Sequence, residues 1–293
     1  MKQLVVLSGK GGTGKTTIAS ALIKLAGQGK KAFADCDVDA PNLHLIYSAS
    51  EDLTTRPFYG FKKAVKYDEY CIDCGICEEL CHFQAIKDGI VNPYECEGCG
   101  VCEAFCPATD NEDRPAIRLE DNVSGYTRLA QINGEIFSSA QLKMGNGASG
   151  KLVTEVRNIL LSHITDEELI IIDGSPGIGC PVIASITGVD LALVVAEPTL
   201  SGIHDMKRII DTVRHFQVTC LVCINKYDVN VENSLEIQKY CQGEDIPMIG
   251  CIPFDSMVVK AVNAGKTIVD IPESPAAKAA SEIFDNICKY CML

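Results

Sequence analysis

Basic residues are scarce in this 293-residue chain. It has 26 lysines and arginines against 39 aspartates and glutamates, which gives a formal net charge of −13 at pH 7. A surface this acidic repels the phosphates of nucleic acids and the anionic headgroups of membranes. We therefore expect no nucleic-acid partner and no stable association with a membrane.

Long apolar segments are absent as well. Apolar runs such as Leu169–Ile172 and Leu191–Ala196 are far shorter than the roughly 20 residues that a transmembrane helix needs. Met1–Ser8 leads directly into a glycine-rich segment, without the longer apolar stretch and cleavage site of a signal peptide. We predict a cytoplasmic protein whose first residues form a strand.

Cysteine, in contrast, is abundant. The chain has 16 cysteines, and eight of them lie between Cys71 and Cys106. In a reducing compartment, clustered thiols indicate metal binding rather than disulfides. The spacing is itself repeated, because the cysteines at 71, 74, 77 and 81 recur 25 residues later at 96, 99, 102 and 106. We predict that this repeat binds metal.

Outside the repeat, short apolar runs alternate with amphipathic stretches. The predicted strands include Leu4–Leu7, Ala32–Ala34, Leu169–Ile172, Leu191–Ala196 and Leu221–Ile224, and the predicted helices include Thr16–Leu25, Leu152–Ser162 and Asp205–His215. This alternation predicts an α/β fold with a doubly wound, mainly parallel sheet. The cysteine repeat interrupts it, so we predict an inserted domain at 61–120 and a discontinuous α/β domain at 1–60 and 121–293.

A phosphate-binding loop follows the first predicted strand. Gly9–Thr16 fits the pattern G-x-x-x-x-G-K-[ST] and opens a predicted helix. Its backbone amides and the helix N-terminus favour phosphate, Lys15 is expected to reach the β- and γ-phosphates, and Thr16 is expected to bind Mg²⁺. The predicted nucleotide-binding residues here are Gly11, Gly12, Thr13, Gly14, Lys15, Thr16 and Thr17.

The additional lysine of this loop, Lys10, carries a family resemblance. Lys10-Gly11-Gly12-Thr13-Gly14-Lys15-Thr16-Thr17 resembles the deviant Walker A motif of the MinD/Mrp/ParA ATPases and the nitrogenase iron protein. The resemblance implies binding of ATP and ADP in a P-loop NTPase fold. It also implies a homodimer with ATP at its interface, in which Lys10 acts on the nucleotide of the partner subunit.

Two acidic segments resemble the family's switch regions. Asp35–Asn42 looks like switch I, and the resemblance implies that Asp37 orients the attacking water while Asp35 supports the Mg²⁺ shell. Leu169–Gly177 reads as a Walker B strand followed by switch II, in which Asp173 is expected to contact Mg²⁺.

Two later residues resemble the family's base-recognition positions. Asn225 matches an asparagine that contacts adenine, and Pro253 lies in a segment that matches the loop closing over the base. Asn225 to Asp228 also satisfies the N-K-x-D pattern with which GTPases recognise guanine. The deviant phosphate loop favours ATP, and GTP remains the alternative.

The cysteine repeat matches the bacterial two-cluster ferredoxin pattern, in which the fourth cysteine of each run ligates the other cluster. This predicts a small α+β ferredoxin-like domain with two [4Fe-4S] clusters. The first cluster is assigned to Cys71, Cys74, Cys77 and Cys106, and the second to Cys96, Cys99, Cys102 and Cys81. Zinc is the alternative, since C-x-x-C pairs also bind it.

Eight cysteines lie outside that pattern, and five of them carry predictions of their own. We expect Cys180 to be a buried packing thiol, with a transient metal site between two subunits as the alternative. Cys220 and Cys223 lie in an apolar strand and are expected in the core. Cys288 and Cys291 share a face of the last predicted helix, which favours docking of that helix over a metal or redox site.

Together these features predict an ATPase that couples its nucleotide state to electron transfer through two [4Fe-4S] clusters. The electrons would pass to an unidentified redox partner protein or its metallocofactor. An Mrp-like factor that uses ATP to assemble metallocofactors or iron-sulfur clusters is the alternative. A MinD-like positioning ATPase ranks third.

Overall fold

The computed structural model describes residues 1–27, 31–47 and 51–291, and it divides into two compact units. The first comprises Met1–Arg56, Thr127–Gln141 and Ser149–Leu293, and the second comprises Pro57–Tyr126 and Leu142–Ala148. The cysteine repeat belongs to the second unit. That unit takes in the return segment Leu142–Ala148, which lies outside the predicted insert at 61–120 and was not foreseen from the sequence.

Thirteen strands are present in the described residues. They are β1 Lys2–Leu7, β2 Lys31–Asp35, β3 Glu51–Tyr59, β4 Lys63–Lys66, β5 Ile86–Lys87, β6 Ile90–Val91, β7 Ile117–Glu120, β8 Val123–Ile132, β9 Glu135–Leu142, β10 Leu169–Asp173, β11 Leu191–Ala196, β12 Thr219–Asn225 and β13 Met248–Ile252. Nine of them form one sheet in the order β13-β12-β11-β1-β10-β2-β9-β8-β3.

The sheet is mainly parallel, as the sequence predicts. Parallel pairing joins β1 to β10 and β11, β10 to β2, β2 to β9, β11 to β12 and β12 to β13. β2, β10 and β11 are buried along their whole length. This explains their continuous apolar sequences, because a parallel sheet is covered by helices on both faces.

The helices are α1 Lys15–Leu25, α2 Leu43–Ile46, α3 Ile76–Glu79, α4 Val101–Ala104, α5 Ser149–His163, α6 Cys180–Ile186, α7 Leu200–His215, α8 Val231–Gly243, α9 Ser256–Asn263 and α10 Pro275–Cys291, with a 3₁₀ turn at Ile268–Asp270. Within the described residues, no helix is both long and apolar enough to cross a membrane. Cytoplasmic location stays a prediction.

The topology brings the predicted nucleotide motifs to one edge of the sheet. The phosphate loop follows β1, Asp35 ends β2, Asp173 ends β10, and Asn225 ends β12. Since these strands are parallel, their carboxyl ends lie at the same edge, where open α/β sheets bind ligands. Motifs separated by up to about 200 residues in the chain therefore share one region.

The second unit is built from short elements that follow the cysteine repeat. β4 pairs antiparallel with β7, and β5 pairs antiparallel with β6. Gly75 and Gly100, each with a positive φ, precede the four-residue helices α3 and α4. These helices carry the third cysteine of each run, Cys77 and Cys102. The repeat in sequence is thus also a repeat in local structure.

Candidate functional site

The phosphate loop has the backbone that its glycines predict. Gly12 and Gly14 have φ values of +81° and +92°, a region that favours glycine. A Cβ at Gly14 would lie 2.2 Å from Nδ2 of Asn225, so a larger residue there would displace the Asn225 amide. The amide of Ile18 donates to the Gly14 carbonyl at 3.0 Å and starts α1 directly behind the loop.

Lys15, Thr16 and Asp173 form a compact buried cluster. The Lys15 ammonium lies 2.6 Å from Oδ1 of Asp173, and the Thr16 hydroxyl donates to Oδ2 of the same carboxylate at 2.6 Å. Lys15 is 5% exposed and Asp173 is fully buried. Burial opposes the charge on Lys15, but the carboxylates of Asp173 and Asp37 outweigh it and raise the Lys15 pKa. The structure brings together the lysine, hydroxyl and carboxylate expected at a Mg²⁺-nucleotide site.

The two predicted switch I aspartates occupy different environments. Asp37 lies 3.7 Å from the Lys15 ammonium and is partly exposed, so it faces the phosphate loop. Asp35 is fully buried, and its carboxylate accepts hydrogen bonds from the amides of Asp37, Asn42 and Leu43 at 2.9–3.1 Å. Asp35 therefore fixes the backbone of the loop that presents Asp37.

The buried carboxyl group of Asp35 is expected to make the stability of the protein depend on pH. Burial, together with the charge of Asp173, raises its pKa from 3.8 to about 7. The native state then holds a proton that the unfolded chain releases, so this group's contribution to the free energy of unfolding falls as pH rises from about 4 to about 7. Urea titrations between about pH 5 and about pH 8 are expected to show this slope, and Asp35→Asn is expected to reduce it. Asp39→Asn, at an exposed position of the same loop, is the control. An unchanged slope in Asp35→Asn contradicts the assignment.

Lys10 is held by its own chain. Its ammonium lies 3.1 Å from the hydroxyls of Thr199 and Ser201 and 3.3 Å from Oε2 of Glu197. Oε1 of Glu197 lies 2.9 Å from the ammonium of Lys226, so one carboxylate joins the phosphate loop to the segment after β12. Sequence reasoning assigned no role to Glu197, Thr199 or Ser201. The sequence feature that could have indicated their role is the group of polar residues that follows a buried strand at its carboxyl end.

A cavity of about 280 Å³ lies beside the phosphate loop. Gly12, Gly14, Thr17, Asn225 and Pro253 line it, which places five predicted nucleotide-binding residues around one space. The Asn225 amide also donates to the Thr13 carbonyl at 2.7 Å. The remaining wall includes residues that the sequence analysis missed, namely Val258, Val262, Ile268, Ala276 and Ala280. Apolar residues at helical spacing look like ordinary core, so nothing in the sequence marked them as part of a site.

The eight clustered cysteines line two cavities in the second unit. One, here cavity A, is lined by the four cysteines assigned to the first cluster: Cys71, Cys74, Cys77 and Cys106. The other, cavity B, is lined by Cys81, Cys96, Cys99 and Cys102, the four assigned to the second cluster. In the described part of the chain, no three Cys, His, Asp or Glu side chains converge as a site for one metal ion.

The other cysteines give a mixed outcome. Cys220 and Cys223 are buried in β12, which confirms the prediction of core packing. The prediction that Cys180 is a buried packing thiol is wrong, because the residue is exposed at the start of α6. Ile283 and Ile287 of α10 lie in the main core, as docking of the last helix predicts, whereas the Cys291 side chain lies outside the described residues.

Comparison with known proteins identifies the family of the chain. Residues 4–268 match the family model described as the CobQ/CobB/MinD/ParA nucleotide binding domain. An uncharacterized protein of Methanocaldococcus jannaschii is 33% identical over 290 residues, which covers 98% of this chain and 97% of the relative.

Two further similarities concern MinD and an iron-sulfur carrier. The structure of MinD from Pyrococcus horikoshii complexed with Mg-ADP aligns with a TM-score of 0.61 at 18% identity, covering 99% of this chain and 96% of that one. At this identity, the likeness is one of fold. The iron-sulfur cluster carrier protein of Pyrococcus furiosus is 29% identical over 154 residues, which covers 47% of this chain and 52% of the relative.

The family match agrees with the geometry of the first unit. The glycine-rich loop between β1 and α1, the Lys15–Thr16–Asp173 cluster and most of the lining of the adjoining cavity lie in the region that the family model spans. The chain therefore belongs to the CobQ/CobB/MinD/ParA nucleotide-binding family and is a P-loop ATPase of the MinD/ParA type.

Proposed function

We propose that this ATPase couples its nucleotide state to electron transfer through two [4Fe-4S] clusters, and that the electrons pass to a partner protein or its metallocofactor. The observation that carries the proposal is the division of eight cysteines into two cavities. Each cavity is lined by the same four residues that the ferredoxin spacing groups together. In the same chain, the first unit holds an ATPase site.

The donor chemistry of the cavities fits such clusters. The amides of Asp73, Ala85 and Ala64 donate to the sulfurs of Cys71, Cys81 and Cys96 at 3.3–3.4 Å. Hydrogen bonds to sulfur stabilise the thiolates that bind iron and tune the reduction potential. A cubane distributes its four thiolates over different iron atoms, so its ligands need not converge on one point as they do around zinc. When bound, the clusters supply one-electron redox chemistry.

Residues of the first unit fit Mg²⁺ and a nucleotide. We assign the phosphates to the backbone of Gly11–Gly14 and to Lys15, and the Mg²⁺ to Thr16 and Asp173, with Asp35 acting through the loop that it anchors. Asp37, on that loop, is assigned to orienting the attacking water. The Thr13 hydroxyl is buried without a hydrogen-bond partner among the described residues, as expected of a group reserved for a ligand. Asn225 and Pro253 are assigned to the base.

The active ATPase is proposed to be a homodimer in which Lys10 crosses to the partner's nucleotide. To do so, Lys10 has to leave Glu197, Thr199 and Ser201 of its own chain. In the free subunit, these contacts therefore restrain Lys10 and oppose its movement to the partner's nucleotide.

Removing the carboxylate of Glu197 tests this role. A partly exposed ion pair stabilises the restrained position of Lys10 by up to about 1 kcal/mol. Glu197→Gln is therefore expected to lower the protein concentration that gives half-maximal ATPase activity by up to about fivefold. Glu236→Gln, which removes an exposed partner of Lys207, is the matched control. The same half-maximal concentration in Glu197→Gln and wild type would contradict the role.

A packed helix pair supports coupling of switch II to the cysteine-bearing unit. α6 follows the switch II segment, and α5 begins directly after Leu142–Ala148, the return segment of the second unit. A Cβ at Gly150 in the first turn of α5 would lie 2.9 Å from Cβ of Cys180, so the two helices approach closely there. Arg157 of α5 donates to the carbonyls of Ala184 and Thr187 at the other end of α6. A displacement of switch II would thus be transmitted through α6 to α5.

The decisive experiment measures electron flow with and without nucleotide. Anaerobically purified protein is reduced, and transfer to a low-potential dye acceptor is followed in the presence of Mg-ATP, Mg-ADP or no nucleotide. The proposal expects the transfer rate or the EPR spectrum of the clusters to depend on the nucleotide. Equal rates and spectra in all three conditions contradict coupling.

A second function, assembly of metallocofactors, is favoured by the similarity of half the chain to an iron-sulfur cluster carrier. It is also compatible with Cys180, a cysteine that is exposed at the start of α6. The two functions differ in the fate of the iron. ATP-dependent transfer of iron and sulfide to an apo-acceptor supports assembly, whereas full retention of iron through many turnovers supports electron transfer.

A further inference from the structure

A buried lysine contacts Cys96, one of the cysteines that line cavity B. Lys63, the first residue of β4, is 8% exposed, and its ammonium donates to the carbonyl of Cys96. The amide of the next residue, Ala64, donates to the sulfur of Cys96 at 3.4 Å. The start of β4 therefore holds the first cysteine of the second run by both its backbone and its sulfur.

Lys63 differs from the other lysine of β4 in its charge partners. Lys66, which lines cavity A, pairs with Asp68 at 3.0 Å and with Asp73 at 3.4 Å. Lys63 has no carboxylate within salt-bridge distance in the described ranges of the chain. Its cross-strand neighbour Glu120 instead accepts from the hydroxyl of Tyr67 and pairs with Arg118 at 3.6 Å.

A buried ammonium without a counter-charge is costly, because burial removes its hydration and the one carbonyl that Lys63 contacts replaces only part of it. Four cysteine thiolates around an iron-sulfur core outweigh the positive charge of the core, so a cluster in cavity B would be anionic. We propose that Lys63 is the counter-charge of that cluster and raises its reduction potential. This inference rests on the proposed function, since it requires that both cavities bind clusters.

The direction of the effect follows from electrostatics. Reduction adds an electron to an already anionic cluster, and a fixed cation nearby stabilises the reduced form more than the oxidised form. Lys66 at cavity A is paired with two carboxylates, whereas Lys63 has none within salt-bridge distance among the described residues, and the lining of cavity B includes one acidic residue, Glu97. Removing the charge of Lys63 is therefore expected to lower the midpoint potential of the cluster in cavity B.

Lys63→Gln is the central variant, because glutamine keeps a hydrogen-bond donor for the Cys96 carbonyl and removes the charge. Iron and sulfide are measured first, and anaerobic redox titrations are then followed by EPR. Lys63→Gln and Lys63→Met are expected to lower the equilibrium constant for reduction of one cluster about tenfold. This corresponds to a midpoint potential that is lower by about 59 mV for a one-electron couple. The other midpoint stays in place, and Lys63→Arg keeps both. Lys62→Met, which alters the adjacent exposed lysine, is the matched control.

A Cys74→Ala background, expected to retain only the cluster of cavity B, assigns the shifted midpoint to its cluster. The inference is overturned if Lys63→Gln holds its full iron content and both midpoints match wild type. It is equally overturned if Lys66→Met shifts a midpoint potential as much as Lys63→Gln does. A lysine paired with carboxylates would then affect its cluster as strongly as a lysine without such partners. Wild-type protein without iron and sulfide would instead refute the proposed function on which the inference rests.

Discussion

Replacing Lys15 with methionine is expected to lower ATP hydrolysis by at least a factor on the order of 10²–10³. The Lys15 ammonium is buried and lies 2.6 Å from Asp173 and 3.7 Å from Asp37, at the carboxyl end of the sheet. In our assignment it stabilises negative charge that develops on the β- and γ-phosphates, and methionine has similar length without a charge. Steady-state phosphate release at saturating Mg-ATP measures the effect.

The same substitution leaves Asp173 fully buried without its cation, and breaking a buried ion pair costs about 3–5 kcal/mol. A thermal unfolding curve and the iron content therefore accompany the kinetics, so that loss of fold is distinguished from loss of catalysis. Lys24→Met is the matched control, since Lys24 lies on the same helix and its exposed side chain pairs with Asp270. A folded Lys15→Met protein that hydrolyses ATP at the wild-type rate would refute the assignment. Loss of turnover with the iron content intact would show that the two units are functionally separable.

Substituting one cysteine from each cavity is expected to remove half of the bound iron and sulfide per variant. Cys74 lines cavity A, Cys99 lines cavity B, and both are exposed, so their truncation to alanine leaves the packing of the unit largely intact. A cubane held by three thiolates is oxygen-sensitive and is readily lost. Iron and acid-labile sulfide analysis of anaerobically prepared protein is the measurement, and Cys180→Ala, at an exposed cysteine of the first unit, is the control.

Cys106 provides the most discriminating variant of this series. It belongs to the second run of the repeat, yet it lines cavity A with Cys71, Cys74 and Cys77. Cys106→Ala is therefore expected to remove the same cluster as Cys74→Ala, and the double variant is expected to lose no more iron than either alone. If the double variant loses all of its iron, the exchange of fourth ligands is wrong. Zinc in place of iron, or an absence of sulfide in the wild type, would refute the clusters themselves.

The elements that were predictable from sequence are those whose chemistry lies in adjacent residues. The parallel sheet followed from continuous apolar strands, since burial on both faces removes the polar alternation of a half-exposed strand. The phosphate loop followed from glycines that permit positive φ at Gly12 and Gly14. The grouping of the cysteines followed from the match of their repeated spacing to the two-cluster ferredoxin pattern, in which the fourth ligands are exchanged.

Other features arise from contacts between residues far apart in the chain. Lys10 meets Glu197, Thr199 and Ser201 only because β1 and β11 are neighbours in the sheet. The exposure of Cys180, which the sequence analysis placed in the interior, depends on how α6 packs. No local pattern marks these relationships, because they depend on strand order and helix packing rather than on spacing.

The amino-acid sequence alone determined the family of this protein and its phosphate loop, because both depend on residues at short, fixed separations. The division of its cysteines into two sets of cluster ligands was predicted from the match of the repeat to the two-cluster ferredoxin pattern. Tertiary structure alone decided which charges are compensated. Lys63 and Lys66 are three residues apart on one strand, yet only Lys66 has carboxylate partners among the described residues. The reason is physical, since burial and charge pairing are properties of the surroundings that folding brings to a residue.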